Sequence, residues 1–417
     1  MTAGLASIPA SRHNAWRFHE TGLAFLILTV LAFLLRAWTF GNPVINIDEQ
    51  FYVLAADRLL HGQLPYVAVW DRKPIGLFLI YALANRLFAD PVAGYQILAA
   101  ISAGATGCLI YVTARRLVSP LAALGAAAAY FAWLPVFGGV SGQSPVFYNL
   151  PMAAAGALTM EAVAHGELRN RLLRGCAIMV LVGLAMQIKY AAAFEGIFFG
   201  LSLLWIGWLR GGAKFALVAR AVAWIGCALA PTAAAYLAYL AMGHGSEFVQ
   251  ANFVSVLQDE RSPLAGLPNL AGLMLGLAPF LICFVIAWRY WRSPEDTGDR
   301  QLRWILAWAG SSMGGFLAFG AWADHYALPL LVPLSISAAL AFDCLKRRFL
   351  AMFLVVGLGL AGGLARASIE IADNGTAIEV SELSERVSQN LGHGCLYVEE
   401  GLPILYMKTH SCLPTRF

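Results

Sequence analysis

"NIDEQFYVLAADRLLHGQLPYVAVWDRKP", Asn46 to Pro74, is the one long stretch in the first third of the chain in which charges gather. It begins a few residues after Thr21 to Phe40, an apolar run long enough to cross a bilayer, so two adjacent acids, Asp48 and Glu49, stand at the mouth of a membrane helix. Asp71, Arg72 and Lys73 bring charge back to the same place at the far end of the stretch. What these groups can do depends on the solvent around them.

Composition settles that solvent. The chain has 417 residues, 59% of them hydrophobic and 12% charged, where an ordinary soluble protein carries roughly 25% charged residues. The expected fold class is an all-α polytopic membrane protein. The net charge of +4 is modest and points to no nucleic-acid partner. The first run is too long for the apolar core of a signal peptide and has no small-residue cleavage site behind it, so it reads as a retained helix.

Lys and Arg gather at cytoplasmic helix ends. The clusters are Arg12 and Arg17; Arg115 and Arg116; Arg169, Arg171 and Arg174; Arg210, Lys214 and Arg220; Arg289, Arg292, Arg300 and Arg303; and Lys346, Arg347 and Arg348. Placing them on one side gives about eleven spans, near 21-40, 92-114, 119-138, 149-165, 173-188, 191-209, 216-241, 268-290, 304-320, 326-343 and 349-366. The N-terminus, 1-20, is then cytoplasmic, 21-366 is the membrane domain, and the protein sits in the plasma (inner) membrane with residues 41-91 as a large extracytoplasmic loop. The apolar core of "KPIGLFLIYALANRLFAD" runs only from Ile75 to Ala84, which suits a helix lying on the outer surface with Leu77, Ile80, Tyr81, Ala84, Leu87 and Phe88 as its buried stripe.

From about 367 to 417 the chain turns acidic and polar, with a strand-like "CLYVEE", and reads as a small extracytoplasmic tail. Cys395 and Cys412 lie on the oxidising side, where a disulfide can form, while Cys108, Cys176, Cys227, Cys283 and Cys344 read as packing residues in apolar spans. No Cys/His spacing resembles a zinc site, and a divalent metal finds no support in acids as scattered as Asp48, Glu49 and Asp324 beside His325.

Two readings of the opening stretch stand side by side. In one, Asp48 caps a surface helix, Glu49 favours the positive end of its dipole, and Gly62 ends it. In the other, carboxylates and cations held at the membrane surface carry out chemistry on a lipid headgroup. In the first reading Asp57 and Arg58 face water; Asp259, Glu260 and Arg261 read as a solvated patch on a later outer loop.

At this point the residues resemble a known family. Asp48-Glu49-x-x-Tyr52, Ala56 to Leu60, Gly62, Pro65-Tyr66 and Lys73-Pro74-Ile75 look like the first extracytoplasmic loop of GT-C membrane glycosyltransferases. The branch is that of bacterial relatives of protein mannosyltransferases, the lipid A aminoarabinose transferase and the lipopolysaccharide-core galacturonosyltransferases. "DHYALPLLVPL", with His325, Tyr326, Pro329 and Pro333, is similar to a second family pattern, and "LYMKTHSCLPTRF" to the tails of some members. The likeness covers residues 44-165 and returns at 319-335. Ile75 replaces the second proline of the family's "KPP", and Asn149 stands where many relatives carry a second acid.

The resemblance implies a polyprenyl-phosphate sugar donor, a glycolipid, glycan or protein acceptor, and inverting transfer on the extracytoplasmic face. It makes Asp48 the general base, with Glu49 beside it orienting the acceptor or only favouring the helix start. Lys73 would bind the donor phosphate, helped by Arg72 and Lys189, and Tyr52, Tyr66, Asn149, His325 and Tyr326 would line the pocket. Bland roles compete for each: Lys189 as a snorkelling anchor, Arg72 as a solvated cation, His325 and Tyr326 as part of the interfacial aromatic belt. A transporter or lipid flippase would share the composition but would place charges near the bilayer midplane. Here Arg36, Glu161, Lys189 and Glu195 fall toward span ends. An inactive transferase-like scaffold is the third alternative.

Overall fold

A computed structural model of the chain describes residues 10–165, 171–258, 263–289, 297–318, 320, 322–399 and 401–415. Asp259, Glu260, Arg261, Arg169 and Arg292 lie outside the described residues, and the side chains of Arg12 and Arg17 are likewise not described. The helices are α1 (Ala10–Leu34), α2 (Ile47–Leu60), α3 (Ile75–Leu87), α4 (Pro91–Ala114), α5 (Pro120–Trp133), α6 (Ser144–His165), α7 (Arg171–Met186), α8 (Ala192–Leu209) and α9 (Lys214–Ala241). They continue with α10 (Gly245–Val249), α11 (Ser255–Leu257), α12 (Leu267–Arg289), α13 (Thr297–Ala318), α14 (Leu331–Cys344), α15 (Arg348–Asn374), α16 (Ala377–Asn390) and α17 (Ile404–Lys408).

Eight stretches among the described residues are long and apolar enough to cross a membrane, against the eleven spans expected. The three others, 149-165, 173-188 and 304-320, fall on α6, α7 and α13. α7 is short, with 16 residues, and for α6 the physical reason is burial. α6 packs against α4, α7, α8 and α13, and a helix shielded from lipid by its neighbours can carry Asn149, Thr159 and Pro151. α9 shows the opposite case: it is apolar throughout, and most of its side chains are exposed to the surroundings.

α3 is the 13-residue helix expected on the outer surface. Its buried face is Leu77, Phe78, Tyr81, Ala82 and Ala84, so the stripe is rotated from the one expected, and Leu87 is exposed. Leu79, Leu83 and Leu87, spaced by four, form a second apolar face turned outward. A helix apolar on two sides, one toward protein and one toward the membrane boundary, suits an interfacial position.

The tail differs from the expected appendage. α15 runs on to Asn374 and ends at Gly375, whose φ of +88° few other residues adopt. Thr376 and Glu379 then form a capping box that starts α16. "CLYVEE" is not a strand: Cys395 to Glu399 is irregular, and its backbone is held by side chains, Leu396 N–H by Ser411 Oγ at 2.7 Å and Val398 N–H by the Tyr406 hydroxyl at 3.0 Å. Cys395 and Cys412 are disulfide-bonded. The tail docks on α2, where Arg58 donates to the Ser411 carbonyl at 2.6 Å and Ile404 to Gln50 Oε1 at 3.4 Å. Arg58 is therefore not simply solvated.

Candidate active site

α2 begins two residues earlier than a cap at Asp48 requires. Asn46 is the N-cap, and its side-chain oxygen accepts the Asp48 N–H at 2.9 Å. That frees the Asp48 carboxylate from capping. Gly62, with φ of +80°, closes the helix as expected. Asp48 and Glu49 then point to different environments. Asp48 is half-buried, whereas Glu49 is fully buried and neither of its carboxylate oxygens has solvent-exposed surface or a hydrogen bond of good geometry. A sealed carboxyl cannot touch a substrate, so of the two roles open to Glu49, orienting an acceptor or favouring the helix start, the geometry fits the second, and only Asp48 keeps an open surface.

Burial pushes the Glu49 carboxyl up to about 7, against the Ser141 hydroxyl, the Gly142 N–H and the charge of Arg36, with Asp48 adding to the rise. Arg36 lies just past α1 and is itself buried. It donates to the carbonyls of Gly139 at 2.6 Å, Val140 at 2.8 Å and Ser141 at 3.2 Å, while the Tyr81 hydroxyl donates to Gly142 at 2.8 Å. Four consecutive carbonyls of the α5–α6 connection are thus satisfied in a buried place where each unpaired one would cost about 1–3 kcal/mol. Gly142 must be glycine because a Cβ there would come within 2.5 Å of the Tyr81 hydroxyl and 2.7 Å of the Tyr95 ring. At the tip of this connection, Gln143 Nε2 donates to Asp48 Oδ2 and to Asn46 Oδ1, both at 3.1 Å.

The cations converge from two connections. Asp71 Oδ1 accepts the N–H groups of Arg72 at 2.5 Å and Lys73 at 3.1 Å, which folds the turn so that the Lys73 ammonium lies 5.7 Å from the centre of the Tyr52 ring. Burial raises the Asp71 carboxyl, countered first by Lys73. Arg72 shares this turn and is half-buried. Tyr66 is buried, and its hydroxyl donates to the Lys73 carbonyl at 2.7 Å. Its φ of +70° is strained for a side chain of that size, and its ring is held by Phe78, Tyr239 and Phe248. Tyr66 therefore positions the lysine's backbone instead of lining an open pocket.

α3 starts with Gly76 pressed on the α7–α8 turn: a Cβ at Gly76 would lie 2.7 Å from both Cβ and the carbonyl oxygen of Gln187. That contact brings Lys189 beside Lys73. Burial and the neighbouring Lys73 ammonium push Lys189 well below its usual range, opposed by Asp48, although part of its surface stays open. Its Nζ sits 3.9 Å from the centre of the Tyr326 ring. His325 stacks edge-on against Tyr326 at 4.8 Å and lies within the electrostatic reach of both lysines. Arg366 on α15 anchors this segment through Asp324 at 2.5 Å and the Val136 carbonyl at 3.2 Å.

The structure thus brings the half-buried Asp48, Lys73, Lys189, His325 and Tyr326 into one neighbourhood, whereas Tyr52, expected to line the pocket, is buried beneath them with its hydroxyl sealed from solvent. It does not bring Asn149 into hydrogen bonds there: that side chain is buried and donates to the Leu328 carbonyl at 3.2 Å and the Tyr130 hydroxyl at 3.4 Å, bracing α6 against the segment before α14. Arg36, Gly76 and Gln143 were not singled out from the sequence as site residues. The one signal for Gln143 is its place in the Gly-rich, uncharged "GGVSGQSP" between two apolar helices; Arg36 and Gly76 have no such local signal. Among the described residues no group of three or more His, Cys, Asp or Glu side chains could hold a metal ion.

No protein-family model and no curated protein matches the sequence. Solved structures do match the fold. ArnT from Cupriavidus metallidurans bound to undecaprenyl phosphate is 16% identical, with a TM-score of 0.69 over 93% of this chain and 84% of that one. The apo state of the same protein gives a TM-score of 0.67 at 14% identity, over 97% and 87% of the two chains. The Archaeoglobus fulgidus oligosaccharyltransferase, in complex with zinc and sulfate, is 12% identical, with a TM-score of 0.55 over 88% of this chain and 55% of that one. The chain shares the multi-helix membrane fold of these solved proteins.

Proposed function

We propose that the protein is an inverting glycosyltransferase that moves a sugar from a polyprenyl-phosphate donor to a glycolipid, glycan or protein acceptor at the extracytoplasmic surface of the cell envelope. The observation that carries the reading is a division of labour: one half-buried carboxylate, Asp48, lies within the electrostatic reach of Lys189, which in turn lies within that of Lys73, the two lysines being supplied by separate connections. The fold shared with ArnT, whose structure holds undecaprenyl phosphate, supports the choice of donor.

In this reaction Asp48 accepts the proton of an acceptor hydroxyl as that oxygen attacks the anomeric carbon. The new carbon–oxygen bond forms as the bond to the phosphate oxygen breaks, and the electron pair leaves with the polyprenyl phosphate. Two lysines at a low-dielectric boundary offset the charge that develops on the leaving group. A phosphate needs no proton to depart, so one exposed carboxylate suffices, unlike the two of a glycosidase. The sealed Glu49 fits that requirement.

Comparison of membrane glycolipids and glycoproteins from a deletion strain and its parent by mass spectrometry should reveal one missing sugar mass. Complementation with Asp48→Asn should fail to restore it while the protein still inserts into the membrane. Restoration by that variant would remove Asp48 as the base, and unchanged glycoconjugates in the deletion strain would remove the transferase reading altogether.

A further inference from the structure

Asp48 has one carboxylate oxygen fixed. Oδ2 accepts from Gln143 Nε2 at 3.1 Å, and the same nitrogen donates to Asn46 Oδ1, which also receives the Asp48 N–H at 2.9 Å. The other end of the Gln143 amide is committed too, because its Oε1 accepts the Ser144 N–H at 3.3 Å at the start of α6. The amide therefore cannot rotate to offer an acceptor to Asp48 without losing a bond at both ends. Gln143 is only 1% exposed and hangs from the connection whose four preceding carbonyls are clamped by Arg36 and Tyr81. An NH2 group that can only donate favours a carboxylate over a carboxylic acid.

We propose that Gln143 is the positioning residue of the base: it fixes Oδ2 of Asp48 and so orients the carboxylate, leaving Oδ1 to receive the proton of the acceptor. The proposal rests on the transferase reading and adds to it a residue on the far side of the carboxylate from the lysines. Other charged or titratable groups face Asp48 from each neighbouring element: Glu49 and Tyr52 on α2, Asp71 and Lys73 on the turn before α3, Tyr81 on α3 and Lys189 after α7. None of them is altered by a change at position 143.

The test is an infrared titration of the purified full-length protein in lipid nanodiscs. The protonated-carboxyl band of Asp48 is identified by its loss in Asp48→Asn. In Gln143→Ala its midpoint should rise, and in Gln143→Glu, which keeps the shape and adds a like charge, it should rise further, by about one pH unit or more. Binding of undecaprenyl phosphate, the probe for the cation side, should change less than threefold in both. A midpoint unmoved in both variants overturns the proposal. So does a tenfold loss of undecaprenyl phosphate affinity in Gln143→Ala, which would mean that the connection had merely collapsed. Sugar transfer by Asp48→Asn would instead sink the assignment of the base while leaving the titration result in place, so the two failures are distinguishable.

Discussion

The Arg36 guanidinium and the Gly139 carbonyl meet at 2.6 Å although 103 positions separate them in the chain. Around that contact the end of α1, the α5–α6 connection and the start of α2 become one unit, because Arg36 also holds two further carbonyls and is the cation nearest Glu49 in its electrostatic surroundings. Replacing it with methionine keeps the length of the side chain and removes every donor. The expected cost is about 1–3 kcal/mol for each of the buried carbonyls left unpaired, partly offset by removal of the buried charge. Thermal unfolding in detergent should show a clear fall in Tm for Arg36→Met. An unchanged Tm would mean that the connection is held by something else.

Glu49 makes a pH-dependent contribution whose sign can be worked out. Its carboxyl is raised to about 7 in the folded protein against 4.5 for the unperturbed group. Between those values the folded state holds a proton that the unfolded state has released, so stability falls as pH rises through that window and is flat above it. The shift corresponds to about 3 kcal/mol. Glu49→Gln should remove this downward contribution between pH 5 and 7, and should keep sugar transfer within a few-fold because the group touches no substrate. A wild-type protein that grows more stable from pH 5 to 7, with the slope lost in Glu49→Gln, would show that the carboxyl is ionised inside the fold.

How much of this was legible beforehand depended on whether a local pattern carried the information. The membrane class follows from composition, and α3 from an apolar run too short to cross. The acids at the mouth of the first span, Lys73 and the "DHY" motif were readable because the residues are charged or polar where the chain is otherwise apolar. The roles inside the acid pair were not. Asp48 and Glu49 are adjacent and chemically alike, and only the α5–α6 connection, about a hundred residues away, seals one and leaves the other open. Of the eleven spans expected, eight are long and apolar enough to cross a membrane among the described residues, and α6, which falls short of that measure, is covered by other helices. The helical tail could have been foreseen from "NGTAIE", a glycine stop followed by a T-x-x-E start, which the acidic composition obscured.

Gly76 offers a test of how the two lysines meet. A methyl group at this position would fall 2.7 Å from the Gln187 carbonyl oxygen, and a backbone atom cannot swing away as a flexible side chain can. Gly76→Ala must therefore push α3 off the α7–α8 turn and separate Lys73 from Lys189. Affinity for undecaprenyl phosphate should drop by roughly tenfold, about 1.4 kcal/mol, since one of two charge contacts is weakened. Lys73→Ala should cost at least as much. If Gly76→Ala binds the lipid phosphate like the wild type, the lysines do not act on one anion.

Lys189 predicts a proton linkage in donor binding. In the structure, burial and the Lys73 charge both favour the neutral amine, an effect moderated by the part of the side chain that stays open to solvent. A phosphate placed between the two lysines reverses the balance, because an adjacent anion favours the charged form. Binding must then take up protons over the pH range between the two states of Lys189, and the affinity must fall as pH rises through that range. Calorimetric titration with undecaprenyl phosphate in two buffers of different ionisation enthalpy should give apparent enthalpies that differ by the proton uptake, up to one proton per site. Lys189→Met should abolish the difference while retaining weakened binding through Lys73. Equal enthalpies in the two buffers across pH 6 to 9 would place Lys189 outside the phosphate site, as an anchor stacked on Tyr326 and nothing more.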